Sequence, residues 1–294
     1  MKAIKKRFRG LALESWNRIK LSIKLRNVEQ RNPILVYQMG KVGSSTIIET
    51  LKQLDLNVPI LHLHTLDPNE LKRAIRKQRQ SSSHFLPSHL LTSKILISKM
   101  QRDIFPCRVI TLTREPIARA ISFVFEDWHK KISDALTSDG TFENEQVVSA
   151  ITRILSEKNG HSDPGIWFHN ELNENLNVDV FSVPYDLEKG FRIISRDSVS
   201  VLIIRVEDLN RSLVSALIEY LELENEDFQI RQKNIGKKKW YANSLSNLKT
   251  SFTISVSTAN RILSSEYVEH FYAREKSSLM KKWTTTATFD FEKT

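Results

Sequence analysis

An α/β fold with a central, mainly parallel sheet flanked by helices is what this sequence predicts, and three observations predict it. Short β-branched apolar runs alternate with helix-period stretches from Ile34 onward, the pattern of successive βαβ units. Two glycines, Gly40 and Gly43, stand where the first strand meets the first helix. The glycine loop with Lys41, then His64 and Arg114, fall at the ends of three separate strands, the rim where ligands of parallel sheets bind.

In order, Ile34, Leu35, Val36 and Tyr37 read as a buried strand behind Pro33. Ile47, Ile48, Leu51 and Leu54 follow at helical spacing, with Glu49, Lys52 and Gln53 on the other side. Residues 59–64 form a second strand, and period two places His62 and His64 on one face. Asp67 is an N-cap and Pro68 a first helical residue for a helix to about Arg79. A helix is expected over 90–104, a strand over 108–113, and a helix carrying Ile117, Ala120, Ile121, Val124 and Trp128. Residues 133–177 read as helical with loops, with a start at Asp163-Pro164. A strand is expected over 178–183, then two strands, 191–194 and 201–206, joined by a turn. A helix through Leu213, Ala216, Leu217, Tyr220 and Leu221 precedes a basic aromatic loop, Asn234 to Tyr241. Two helical stretches to about Trp283 and a Thr-rich tail complete the chain.

Composition bounds the function. The single cysteine, Cys107, excludes an internal disulfide framework and a cysteine-based zinc site. No run approaches the eighteen apolar residues of a membrane span and no signal peptide is visible, so a cytoplasmic protein is expected. Of the net charge of +10, residues 1–26 hold +8: Lys2, Lys5, Lys6, Arg7, Arg9, Arg18, Lys20, Lys24 and Arg26 against Glu14. The rest is near neutral, so no nucleic-acid partner is implied. Phe8, Leu11, Ala12, Trp16, Ile19 and Ile23 recur near helical spacing in the same arm. That is a basic amphipathic helix, suited to an anionic membrane on its cytoplasmic face, to packing on its own domain, or to a partly frayed terminus. The division expected is an arm over 1–31 and one α/β domain over 32–294.

The candidate site begins at Gly40-Lys41-Val42-Gly43-Ser44-Ser45-Thr46. Glycines allow a tight turn, and a fresh helix N-terminus gathers unsatisfied N–H donors that favour an anion. Lys41 adds a full charge and the three hydroxyls add donors. This cradle is not a Walker A loop, which sets Lys directly before Ser/Thr.

The order Gly-Lys-x-Gly-Ser-Ser-Thr resembles the 5′-phosphosulfate loop of sulfotransferases that use 3′-phosphoadenosine-5′-phosphosulfate (PAPS), with Gly40 where proline is usual. Arg114 after a strand, with Ser122 eight positions later, resembles their 3′-phosphate motif; guanidinium grips phosphate bidentately. Residues 202–209, ending in Glu207-Asp208-Leu209, resemble a late strand of the same superfamily. Gly236, Lys237 and Lys238 resemble its basic loop over the 3′-phosphate. The segment 234–243, with Lys239-Trp240-Tyr241, is similar to bacterial capsular-polysaccharide-synthesis proteins that are sulfotransferase-like. The resemblance spans about residues 33–245.

It implies a P-loop-like three-layer sandwich and transfer of a sulfuryl group from PAPS to a hydroxyl, by family likeness one on a saccharide, leaving 3′,5′-phosphoadenosine (PAP). No metal is required. His62 and His64 resemble the His-x-His of uronyl 2-O-sulfotransferases, with His64 as base; Glu115 and Glu207 are the other candidates. Lys41 would balance charge on the leaving oxygen. Two other classes stay open: a P-loop kinase-like enzyme, which lacks a clear Walker B aspartate here, and a non-catalytic glycan- or membrane-associated protein keeping the fold.

Overall fold

The computed structural model describes residues 15–16, 19–80, 86–100, 103–126, 128–138, 140–157, 162–224, 228–233 and 239–284. Strand and helix alternate as β1 (Ile34–Tyr37), α1 (Ser44–Leu51), β2 (Ile60–Leu63), α2 (Pro68–Gln80), α3 (Ser88–Met100), β3 (Cys107–Thr113) and α4 (Pro116–Glu126). After α5 (Asn144–Ser156) and α6 (Pro164–Phe168) come the hairpin β4 (Phe191–Arg196) and β5 (Val199–Arg205), then α7 (Leu209–Leu221). Four short helices follow: α8 (Ala242–Ser251), α9 (Val256–Leu263), α10 (Glu266–Tyr272) and α11 (Lys276–Thr284).

The strands form one sheet in the order β2-β1-β3-β5-β4. β1 runs parallel to β2, with Tyr37 opposite Leu63, and parallel to β3, with Val36 opposite Ile110. β4 and β5 are antiparallel, with Phe191 opposite Ile204. The expected mixed α/β class with a mainly parallel sheet is therefore observed. All four side chains of β1 are buried, as a strand covered on both faces requires.

Packing divides the chain into two compact units, each made of two segments. The first joins Met1–Leu112 to Phe168–Lys233; the second joins Thr113–Trp167 to Asn234–Thr294. The first unit holds the sheet and a smaller apolar cluster of Leu71, Leu86, Leu90 and Leu91, joined by Leu21, Ala74, Ile75 and Ile97. Leu21 belongs to helical backbone at 15–16 and 19–24, so this part of the basic arm packs on its own unit. In the second unit, Ile121, Val124 and Phe125 of α4 meet Val147, Ile151 and Ile154 of α5, and Tyr241, Phe252 and Trp283 complete the cluster. Each such side chain stabilises by about 1.5–3 kcal/mol on burial.

Local chemistry sets the boundaries. The Asp67 carboxylate accepts from the Asn69 amide at 2.7 Å and starts α2. Asp163 does the same for Gly165 at 2.9 Å ahead of α6. The structure departs from expectation in three places. α3 begins at Ser88 and ends at Met100 rather than spanning 90–104. Residues 178–183 are not a strand: Asp179 accepts from the Phe181 amide at 3.0 Å and turns 180–182 into a 3-10 helix. The C-terminal region has four short helices instead of two, because serines interrupt it; Ser255 caps α9 through the Thr258 amide at 3.2 Å. Among the described residues no helix is long and apolar enough to cross a membrane.

Candidate functional site

β1 delivers the chain into the candidate loop. Tyr37, Gln38, Met39 and Val42 are buried, so the turn is anchored in the core from both sides. Lys41 adopts φ 72° and Gly43 φ 92°. Gly40 takes no left-handed conformation and a Cβ there would meet nothing within 4 Å, so the tight turn rests on Lys41 and Gly43. A lysine in this region costs about 1–2 kcal/mol relative to an ordinary backbone, and such outliers concentrate at ligand-binding turns. Gly43 is the N-cap of α1 and has no side chain to cap it, and no acidic residue lies in the first turn. Ser44, Ser45 and Thr46 therefore begin a helix whose own first turn supplies no carboxylate to its N-terminal donors and dipole.

A later segment is stitched along the same helix. The Gln53 side chain donates to the Gln229 carbonyl at 2.7 Å, and the Arg231 amide donates to Thr50 Oγ1 at 3.2 Å. The Lys233 amide reaches Thr46 Oγ1 at 3.4 Å while its Nζ pairs with Glu49 at 2.9 Å. Chain position 233 is thus fixed on the first turns of α1. Gly236, Lys237 and Lys238 lie outside the described residues.

Histidines gather beside the loop in the same unit. His62 on β2 and His64 just past it have ring centroids 4.6 Å apart. His89 near the start of α3 completes the group, 5.0 Å from His64 and 6.2 Å from His62. Nothing in the sequence pattern singles out His89; the packing of α3 on β2 brings it in. His64 Nδ1–H donates to the Gln38 carbonyl at 2.7 Å, because a carbonyl can only accept. The lone pair of this tautomer therefore resides on Nε2. Burial lowers the His64 pKa, and the nearby Lys41 charge lowers it further, against the Gln38 hydrogen bond. Burial and the neighbouring imidazoles push His62 down to about 3, and burial and His64 push His89 down to about 4. All three shifts favour the neutral ring. Among the described residues no group of three or more histidine, cysteine or acidic side chains is arranged to hold a metal ion.

Glu171 supports the turn that follows His64. Its Oε2 accepts from the Leu66 amide at 2.8 Å, from the Asp67 amide at 3.2 Å and from the Tyr37 hydroxyl. Burial raises its pKa, opposed by these hydrogen bonds. A π-helical turn at His169–Asn173 places it, a geometry enriched at functional positions. No local pattern separates Glu171 from Glu174, three residues on in the same helical stretch.

Arg114 and Ser122 belong to the second unit. Arg114 directly follows β3, and the Tyr267 hydroxyl holds its backbone, accepting from the amide and donating to the carbonyl, each at 2.9 Å. Ser122 lies partly buried on α4. Burial lowers the pKa of Lys249, and the charges of Arg114 and Lys282 add to the effect. Lys249 thus lies within electrostatic reach of Arg114, and no sequence pattern points to it. Of the alternative bases, Glu115 is buried and spends both oxygens on the Ile117 and Ala118 amides at 2.8 Å, capping α4. Glu207 is exposed in the 3-10 turn after β5, while its neighbour Asp208 pairs with Arg205 at 2.7 Å and Arg211 at 3.0 Å. Lys239-Trp240-Tyr241 docks on α4 and its aromatic neighbours: Tyr241 donates to Glu126 at 3.1 Å and Trp240 meets Trp128 at 5.2 Å.

Residues 139–273 match the model of a family described as "Putative capsular polysaccharide synthesis protein". The chain is similar to that family over this stretch. The match includes the docked Lys-Trp-Tyr segment and begins downstream of Lys41, His64, Arg114 and Ser122. No curated protein and no solved structure matches the chain.

Proposed function

We propose that this protein is a PAPS-dependent sulfotransferase of polysaccharide biosynthesis, acting on a saccharide hydroxyl. The observation that carries the reading is the turn after β1: Lys41 held at φ 72° and Gly43 at φ 92° in front of a helix with neither a capping side chain nor a first-turn carboxylate. Strain of this kind persists where a lysine must stand in a fixed place, and the cradle suits a phosphate or sulfate group. The capsular-synthesis similarity supports the choice of acceptor class.

When bound, PAPS supplies the sulfuryl group as a mixed anhydride. Backbone amides at the start of α1 and the Ser44, Ser45 and Thr46 hydroxyls would hold its 5′-phosphosulfate, with Lys41 countering its charge. Arg114 and Ser122 are assigned to the 3′-phosphate, and Gly236, Lys237 and Lys238 to the same group by resemblance. His64 Nε2 takes the proton of the acceptor hydroxyl as that oxygen bonds to sulfur. The S–O bond to the 5′-phosphate breaks, its electron pair leaves on the phosphate oxygen beside Lys41, and His64 later returns the proton to water. A lowered pKa makes His64 a weaker base, but it favours the neutral, basic form.

Calorimetry with PAP tests the first half: micromolar binding that Lys41→Ala weakens is expected, and no binding by the unmodified chain refutes the reading. Single-turnover transfer over a glycan panel tests the second. His64→Ala should slow transfer by about 10²–10⁴-fold, the scale for a lost general base, with PAP affinity unchanged. Transfer at the original rate would place the base elsewhere.

A further inference from the structure

Helical backbone at 15–16 and 19–24 presents two opposite faces. Leu21 packs into the cluster of Leu71, Leu86, Leu90 and Leu91, Leu25 is 1% exposed, and Lys24 Nζ donates to the Ile60 carbonyl at 2.7 Å. This inner face is fixed to the first unit. At about 100° per residue, Ile19 and Ile23 share an arc of about 40° on the other side, and Trp16 is exposed as they are. Trp16, Ile19 and Ile23 are 55%, 53% and 69% exposed, and they are half of the six large apolar side chains exposed among the described residues. Lys20 flanks this stripe, its Nζ 5.1 Å from the Trp16 ring centroid, and Arg26 is exposed just beyond it.

A second element carries the matching charge. α2 is seated on the same apolar cluster through Leu71, Ala74 and Ile75. Its Lys72, Arg73, Arg76, Lys77 and Arg79 are exposed, against a single acid, Glu70, which pairs with Arg73 at 2.7 Å. Five cations on one short helix repel one another and cost stability unless an anionic partner uses them.

We infer that the Trp16-Ile19-Ile23 stripe and the basic outer side of α2 together dock this protein on an anionic lipid bilayer. Trp and Ile enter the headgroup boundary and the cations meet lipid phosphates, the composition of an interfacial helix. An acidic polysaccharide would engage α2 but has no use for three exposed apolar side chains in a row; a second copy would cover the stripe but would bring like charge against α2. Lipid satisfies both features.

The test is co-sedimentation of the full chain with vesicles of phosphatidylcholine alone or mixed with phosphatidylglycerol. Binding to the mixed vesicles only, weakening as salt rises, is expected. Trp16→Ser/Ile19→Ser/Ile23→Ser should lose about tenfold or more in partition, since three exposed apolar side chains no longer enter the boundary. Lys72→Gln/Arg76→Gln/Lys77→Gln, away from the apolar cluster, should lose a similar factor together with most of the salt dependence. Protein that stays in the supernatant with mixed vesicles at low salt overturns the proposal. So does a stripe variant that binds like the parent, a stripe-dependent dimer with no vesicle binding, or retention on an acidic polysaccharide alone.

Discussion

Acid should destabilise this protein through its histidines at pH values above the ordinary carboxylate range. The perturbation is a fall from about pH 7.5 to about pH 5, across the ordinary histidine pKa of about 6.5 that applies to the unfolded chain. His62 and His89 are pushed down to about 3 and about 4 in the fold, and His64 is lowered as well. Unfolded chains take up protons in this window while the folded rings do not, so their contribution is complete above about pH 6.5 and shrinks as pH falls. One fully shifted histidine changes stability by about 1.4 kcal/mol per pH unit, or about 2 kcal/mol by pH 5. The three rings repel one another when charged, so their shares overlap, and about 2–4 kcal/mol is expected for the group. For a chain of this size that is a drop of about 3–7 °C in Tm. Glu49, which Lys52 and Lys233 hold at about 2, loses its contribution as pH falls from the ordinary carboxylate value of about 4.5 to about 2, so the windows separate. Thermal melts at the two pH values, with His62→Gln/His89→Gln alongside, are the assay. An unchanged Tm in the parent, or the same drop in the double variant, refutes the reasoning.

Lys41→Gly should raise stability by about 1 kcal/mol in urea unfolding by relieving the positive φ, while slowing sulfuryl transfer by about 10²–10³-fold. Lower stability would mean that the lysine side chain, not the ligand, holds the turn. Arg114→Ala should weaken PAP by about 1.5–3 kcal/mol in calorimetry, and weaken an analogue without the 3′-phosphate much less. Equal losses would remove Arg114 from that phosphate. Glu171→Ala removes the carboxylate that accepts from the Leu66 and Asp67 amides and the Tyr37 hydroxyl, leaving the amides only their second acceptors, Tyr37 Oη at 3.1 Å and Thr65 Oγ1 at 3.1 Å, and should cost about 1–3 kcal/mol by denaturant titration; an unchanged stability would show that these acceptors and water replace the carboxylate.

Strands were legible where β-branched residues ran between turn formers, as at Ile34 and Val201. Period two correctly paired His62 with His64. The 178–183 segment misled because Val178, Val180 and Val183 look like a strand, while the Asp179 side chain offers the backbone a tighter local bond. Gly40 and Gly43 looked equivalent in sequence, yet the left-handed turn falls on Lys41, since a loop's φ values depend on what anchors Met39 and Val42. His89 reaches the histidine pair, and Glu171 the turn after His64, through helix packing that no local pattern encodes. The two-unit division was hidden too: the chain changes unit near residues 113, 168 and 234 without a Gly- or Pro-rich linker.

The strand order has a consequence for synthesis. β2, β1 and β3 are complete once Thr113 is made, but the neighbour of β3 on its far side is β5, which starts at Val199. During translation at roughly 5–20 residues per second, the intervening stretch takes about 4–17 s. Over that interval β3 offers an open hydrogen-bonding edge flanked by Val109, Ile110 and Leu112, a template for pairing with another nascent chain. The native neighbour arrives as a preformed hairpin, since β4 and β5 are joined by a two-residue turn with Asp197 at φ 50°. A hairpin closes in microseconds, so the sheet's vulnerability ends almost as soon as Arg205 leaves the ribosome.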